Sequence, residues 1–196
     1  MHGRSYGAVG VAEICAQADV RKGSFYHFFE SKQALTLEAV NAHWERQRAG
    51  WQTILQGEGP ALERLRRLFA ETSAEQRAAQ EARGAVSGCV LANLALELST
   101  QDQVVQARLQ EIFAEKIALI EQTLHEAAAE GTIPASSASR ASARAVVAQL
   151  EGMVLFAKLG NDPDLLDDLW SQTLRLLLAK VVAENALATN LDGTAA

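Results

Sequence analysis

Residues 10–35 read Gly10-Val11-Ala12-Glu13-Ile14-Cys15-Ala16-Gln17-Ala18-Asp19-Val20-Arg21-Lys22-Gly23-Ser24-Phe25-Tyr26-His27-Phe28-Phe29-Glu30-Ser31-Lys32-Gln33-Ala34-Leu35. Val11, Ile14 and Ala18 fall on one face of a short helix, and Val20 is the apolar residue of a three-residue turn. Phe25 and Phe29, four apart, share a face of a second short helix. A long helix follows from Ser31. Two short helices joined by a tight turn form a helix-turn-helix, whose second helix enters the major groove of DNA.

The residues left outside on that second helix have the chemistry for the role. Arg21 and Lys22 put positive charge at its start. Gly23 has no side chain to hold the backbone away from a duplex, and Ser24 can donate to a base or a phosphate. Tyr26 and His27 carry polar tips that reach phosphate oxygens. Lys32 stands in the first turn of the next helix, beside backbone N–H groups that attract an anion.

Charge placement agrees with a DNA-binding head. The net charge of −6 argues at first against nucleic acid. Residues 1–50, however, carry six Lys/Arg against five Asp/Glu, and residues 51–196 carry twelve against nineteen. Phosphate attraction is local at physiological ionic strength, so an acidic body does not silence a basic head.

The block Val20 to Phe29 with Ser31-Lys32 is where residues 9–40 resemble the DNA-binding domain of the TetR (tetracycline repressor) family of transcriptional regulators. The resemblance implies operator contacts at Arg21, Lys22, Gly23, Ser24, Tyr26, His27 and Lys32. It also implies that residues 41–196 form an all-helical ligand-binding and dimerisation domain behind a head at 1–40, with the last two long helices making the dimer interface. Three departures stand out. The family's opening helix is largely missing, since only Met1 to Ala8 occupy its place, which leads us to expect coding sequence upstream of Met1. Gly10 replaces the Ser or Thr that caps the first motif helix. Asp19 replaces the glycine of the turn, where a left-handed residue is needed.

The rest of the chain reads as helix. It is 196 residues long, 48% hydrophobic and only 6% aromatic, rich in Ala and Leu, with three prolines. Pro60, Pro134 and Pro163 each follow a glycine by one to three residues, a stop-and-restart pattern. Helices are expected at 10–18, 21–28, 31–56, 60–81, 88–99, 103–130, 138–159 and 163–186. No segment alternates with period two, so no strands are expected and the fold class is all-α. Helices 138–159 and 163–186 are apolar on more sides than one core face needs, which predicts a homodimer interface.

The body suggests an effector site. Trp44 and Trp51 are seven apart on the inner face of the long helix, while Phe69, Phe113 and Phe156 come from three further helices and could line one apolar cavity. Cys89 opens a helix in Ser87-Gly88-Cys89-Val90, where the positive helix end can lower a thiol's pKa. Its setting resembles that of electrophile-sensing members of the family, which implies a sensing role; plain core packing is the other reading. Asn93, one turn on, can orient a ligand or satisfy a backbone group.

Other classes find little support. Two cysteines are too few for a disulfide scaffold, and the four histidines have no metal-ligand spacing, so neither metal nor cofactor is expected. No phosphate-binding glycine loop occurs, so an enzyme is not expected. The longest charge-free run, Gly84 to Leu96, is too short to span a bilayer, and no signal-peptide core opens the chain. The expectation is a cytoplasmic homodimer that binds a double-stranded operator and a small-molecule effector. The rival is a dimeric ligand-binding protein whose DNA binding was lost with the opening helix.

Overall fold

The computed structural model describes residues 6–178, and those residues form helices with no strand among them. Helices α1 (Val11–Gln17) and α2 (Lys22–Phe28) precede the long α3 (Lys32–Leu55). The body continues with α4 (Ala61–Arg83), α5 (Val90–Leu98), α6 (Gln103–Ala129) and α7 (Arg140–Gly160). A 3-10 turn at Ala135–Ser137 leads into α7, and a second at Pro163–Asp168 leads into α8, described over residues 169–178.

Local chemistry sets the ends. Ser31, Asp102 and Ser139 cap α3, α6 and α7 by accepting backbone N–H bonds from Ala34, Val105 and Ser142 at 3.0, 3.0 and 3.2 Å. Each supplies one acceptor to the four N–H groups a helix start leaves unpaired. Gly10 caps α1 with no side-chain bond, as its lack of an oxygen requires. Asp19 sits at φ 52°, so the aspartate does adopt the left-handed turn conformation that glycine would take more cheaply. Asn161 ends α7 at φ 51°, and its amide ties back to Gly84 O and Val86 N at 3.0 and 2.8 Å.

One expectation changes here. Residues 163–186 do not begin as α-helix. Pro163 and the Asp162 side chain, which accepts from Asp164 N at 3.0 Å, hold the first six residues in 3-10 geometry before α8 starts. Residues 179–186 lie outside the described part.

Helix α6 is the axis of the body, packed against α3, α4, α5 and α7. Its face Val105–Leu109–Ile112–Ile120–Leu124–Ala127 is fully buried. Two apolar clusters share it: one around Leu65, Leu68, Leu124 and Leu150, the other around Val40, Trp44, Leu91 and Leu98. Truncating a side chain such as Leu124 to Ala would cost about 2–5 kcal/mol, because so tight an interior cannot collapse onto the void.

Candidate nucleic-acid interface and thiol cavity

Phe25 anchors the head: it is buried, with its ring 5.7 Å from Phe29 and 5.2 Å from Tyr26. That anchoring turns the other side of α2 outward. Arg21, Lys22, Gly23, Ser24, Tyr26 and His27 are all exposed. A Cβ at Gly23 would meet nothing within 4 Å, so the surface at this point is open. Phe28, three-quarters exposed, adds an apolar ring at the end of the same helix.

Lys32, at the start of α3, is tied to the segment before α1. Its ammonium donates to the Tyr6 carbonyl and stands 3.8 Å from the centre of the Tyr6 ring. The lysine closes the segment before α1 onto the start of α3, while its charge, met here by a neutral carbonyl and a ring, is retained.

In the body, a cavity of about 440 Å³ opens between α5, α6 and α7. Cys89, Asn93 and Phe113 line it, with Ala148, Gly152 and Leu155 from α7. A smaller cavity of about 190 Å³ adjoins it at Gly88, Cys89, Glu151 and Val154 and reaches Trp51 on α3. The three phenylalanines do not share one cavity. Phe69 is core, 6.3 Å from Trp170. Phe156 is 59% exposed, because the inner face of α7 runs Val147–Leu150–Val154–Ala157 and carries residue 156 to the outside. Trp44 is also core: its ring is fully buried and its Nε1 donates to Glu115 Oε2 at 2.8 Å.

The residue missed by sequence reasoning is Lys116. Its side chain is only 1% exposed, and its Nζ lies 2.9 Å from Glu151 Oε1 and 3.8 Å from Cys89 Sγ. It also stands over the rings of Phe113 and Trp51, at 4.9 and 5.4 Å. The signal was present: Lys116 interrupts the apolar stripe between Ile112 and Ile120, where a cation has to find a buried partner. Glu151, one residue after buried Leu150, is that partner.

The electrostatics reverse one expectation. Burial pushes the Cys89 thiol up to about 11; Lys116 opposes that shift and the Glu151 carboxylate adds to it. Ala92 N does donate to Cys89 Sγ at 3.5 Å, so the thiol does cap α5. A helix end typically contributes 0.3–1 kcal/mol, whereas a shift from 9.0 to about 11 corresponds to about 3 kcal/mol, so desolvation wins. Lys116 moves the other way from what burial alone would do. Burial disfavours its charge, but Cys89 and Glu151 outweigh that and raise its pKa. An ammonium and a carboxylate therefore face a neutral thiol at the junction of the two cavities.

The comparisons with known proteins bear on both halves. Residues 1–39 match the family model for bacterial regulatory proteins of the tetR family, and residues 61–173 match the Tetracyclin repressor-like C-terminal domain. The transcriptional regulator AcuR of Cereibacter sphaeroides is 34% identical over 82% of this chain and 72% of its own length. The HTH-type transcriptional repressor DhaR of a Mycobacterium species is 29% identical over 89% of this chain and 85% of its own. The crystal structure of reduced Escherichia coli NemR superposes with a TM-score of 0.77 at 26% identity, covering 87% of this chain and 86% of that one. With its helix-turn-helix exposed on one side and its helical body on the other, this chain belongs to the TetR family of DNA-binding transcriptional regulators.

Proposed function

We propose that this regulator is a repressor that leaves its operator when a small apolar electrophile adds to Cys89. Residues 1–40 act as the reading head and 41–196 as the regulatory body. The observation that carries the reading is the junction at Cys89: one thiol lines a ligand-sized cavity and also touches Lys116, which pairs with Glu151 and stands over the Trp51 ring of α3. Helix α3 runs from that tryptophan to the head, so it is the lever between the two sites. NemR and DhaR, both named as repressors, support the sign of the regulation.

An α,β-unsaturated carbonyl compound suits the cavity, and it would capture the small thiolate fraction that a pKa of about 11 leaves near neutrality. The cysteine sulfur bonds to the β-carbon, the S–H proton ends on the α-carbon, and nothing is oxidised. The adduct occupies space between α5 and α7 and removes the thiol as a neighbour of Lys116. A shift from fully bound to fully released requires a discrimination of order 10⁴ between the two conformers.

The repressor works as a homodimer in the cytoplasm, with no catalytic activity of its own. Leu155, Phe156 and Leu159 on α7 and Leu176 and Leu178 on α8 expose an apolar face, the kind a second copy covers. Two heads then read half-sites roughly 34–36 Å apart. Among the described residues no helix is long and apolar enough to cross a membrane.

Treatment with N-ethylmaleimide tests the reading in a Cys15→Ser background, using a duplex selected from random-sequence DNA. One adduct on Cys89 and loss of the shifted band are expected. Release by a Cys89→Ser protein under the same treatment would overturn the cysteine's role.

A further inference from the structure

Val40, Leu37 and Tyr6 pack the end of the head into the apolar cluster of the body, whereas its two motif helices are joined to the body less directly. Among the described residues, α1 and α2 pack on each other, and neither makes extensive contact with α3–α7. What fixes the orientation of α2 must then lie in the chain on either side of the motif. After it, Gln33 Nε2 donates to both carboxylate oxygens of Asp102, at 2.9 and 2.8 Å. Before it, Tyr6 N donates to Glu97 Oε2 and Gly7 N to Glu97 Oε1, each at 2.8 Å. One carboxylate thus accepts two successive backbone N–H groups from a segment some 90 residues away in sequence.

That segment is also pinned from the opposite side. Lys32 binds the Tyr6 carbonyl and covers its ring, and Tyr6 packs against the cluster of Val40, Trp44, Leu91 and Leu98. Glu97 therefore completes a three-way joint among the head's entry segment, the start of α3 and the end of α5. Charge-assisted bonds of this length are directional, so they define an angle as well as a contact.

We propose that Glu97 is the positioning residue of the reading head: from the body it clamps Tyr6 and Gly7 and sets the angle at which α2 meets DNA. The proposal rests on the reading of α2 as the operator-contacting helix. The clamp is also placed to respond to the cavity. Helix α5 is nine residues, about 13 Å, long. Cys89 caps its start, Asn93 and Leu96 line the cavity, and Glu97 follows Asn93 by one turn. An occupant that tilts α5 moves the clamp with it.

The test compares wild type, Glu97→Gln and Glu97→Ala on the duplex selected from random-sequence DNA, and on the same duplex with two base pairs inserted between half-sites. Wild type should discriminate strongly between the two spacings. Glu97→Ala should bind the selected duplex at least tenfold more weakly, with its spacing preference falling to near unity and its melting temperature little changed. Glu97→Gln keeps one acceptor oxygen and should fall between them. Amide exchange at Tyr6 and Gly7 should quicken in the same order. Retained spacing discrimination in Glu97→Ala would overturn the clamp, and so would unchanged exchange in Glu97→Gln if the alanine variant does not fold. Lys22→Ala separates the two ideas: if it binds DNA as wild type does, the reading of α2 is what fails.

Discussion

Lys116 on α6 and Glu151 on α7 meet at 2.9 Å in the interior, with the lysine side chain 1% exposed and the glutamate 15%. Glu151 Oε2 is buried without a hydrogen-bond partner, so the pair is only partly satisfied. Such a pair is a poor source of stability compared with apolar packing, but breaking it from one side is expensive. Lys116→Met should therefore destabilise the protein by about 3–5 kcal/mol, and the double variant Lys116→Met/Glu151→Leu should recover most of that loss. Urea unfolding midpoints of the three proteins check this.

The same junction predicts an alkaline limit to stability. Both Cys89 and Lys116 have folded pKa values above their ordinary ones. Such groups contribute fully below the unfolded pKa, and the contribution is lost as pH rises through the folded one. For Cys89 that window runs from about 9 to about 11. Stability should stay level near neutrality and fall across the window, and Cys89→Ser should flatten the fall. Denaturant unfolding at pH 7.5, 9 and 10.5 measures it.

Thiol chemistry should follow the same ionisation. With the Cys89 pKa at about 11, the thiolate fraction grows about tenfold per pH unit near neutrality. The second-order rate of N-ethylmaleimide addition in the Cys15→Ser background should therefore rise about tenfold between pH 7 and pH 8. Lys116→Met, lacking the one charge that lowers this pKa, should react more slowly at both pH values. Stopped-flow or quenched mass-spectrometric kinetics give the rates.

On the head, Lys22→Ala should weaken operator binding and lower the slope of log K against log salt by about one. Fluorescence anisotropy between 50 and 200 mM salt reads the slope. Phe25→Ala acts differently, because it removes the anchor beneath α2, and should destabilise by about 3–5 kcal/mol.

At the far end of the body, Phe156→Asp and Leu159→Asp place charge on the exposed apolar face of α7. Sedimentation equilibrium should show a shift from dimer towards monomer in both. A dimer as tight as wild type would place the interface elsewhere.

How far the sequence could be read depended on whether a residue's role was local. Phe25 as anchor with Arg21, Lys22, Ser24, Tyr26 and His27 outward, and Cys89 at a helix start, were legible from spacing, and Asp19 as the left-handed turn residue from the family resemblance. The bond from Lys32 to Tyr6 was not, because Tyr6 lies 26 residues earlier, across the motif. Phe69, Phe113 and Phe156 could not be assigned a shared cavity, since helix register about α6 decides which face each one takes.

What the sequence determined by itself was the helical class, the reading head and the family, because these rest on periodicity, turn chemistry and a contiguous motif. Tertiary structure alone decided three things: that Cys89 carries a raised rather than a lowered pKa, that Lys116 and Glu151 adjoin it, and that the Glu97 carboxylate accepts the Tyr6 and Gly7 N–H groups. Each depends on groups brought together from 27 to 91 residues apart, and on the desolvation their packing imposes. Local pattern carries the helix-end field at Cys89, and only the packed interior supplies the desolvation that outweighs it.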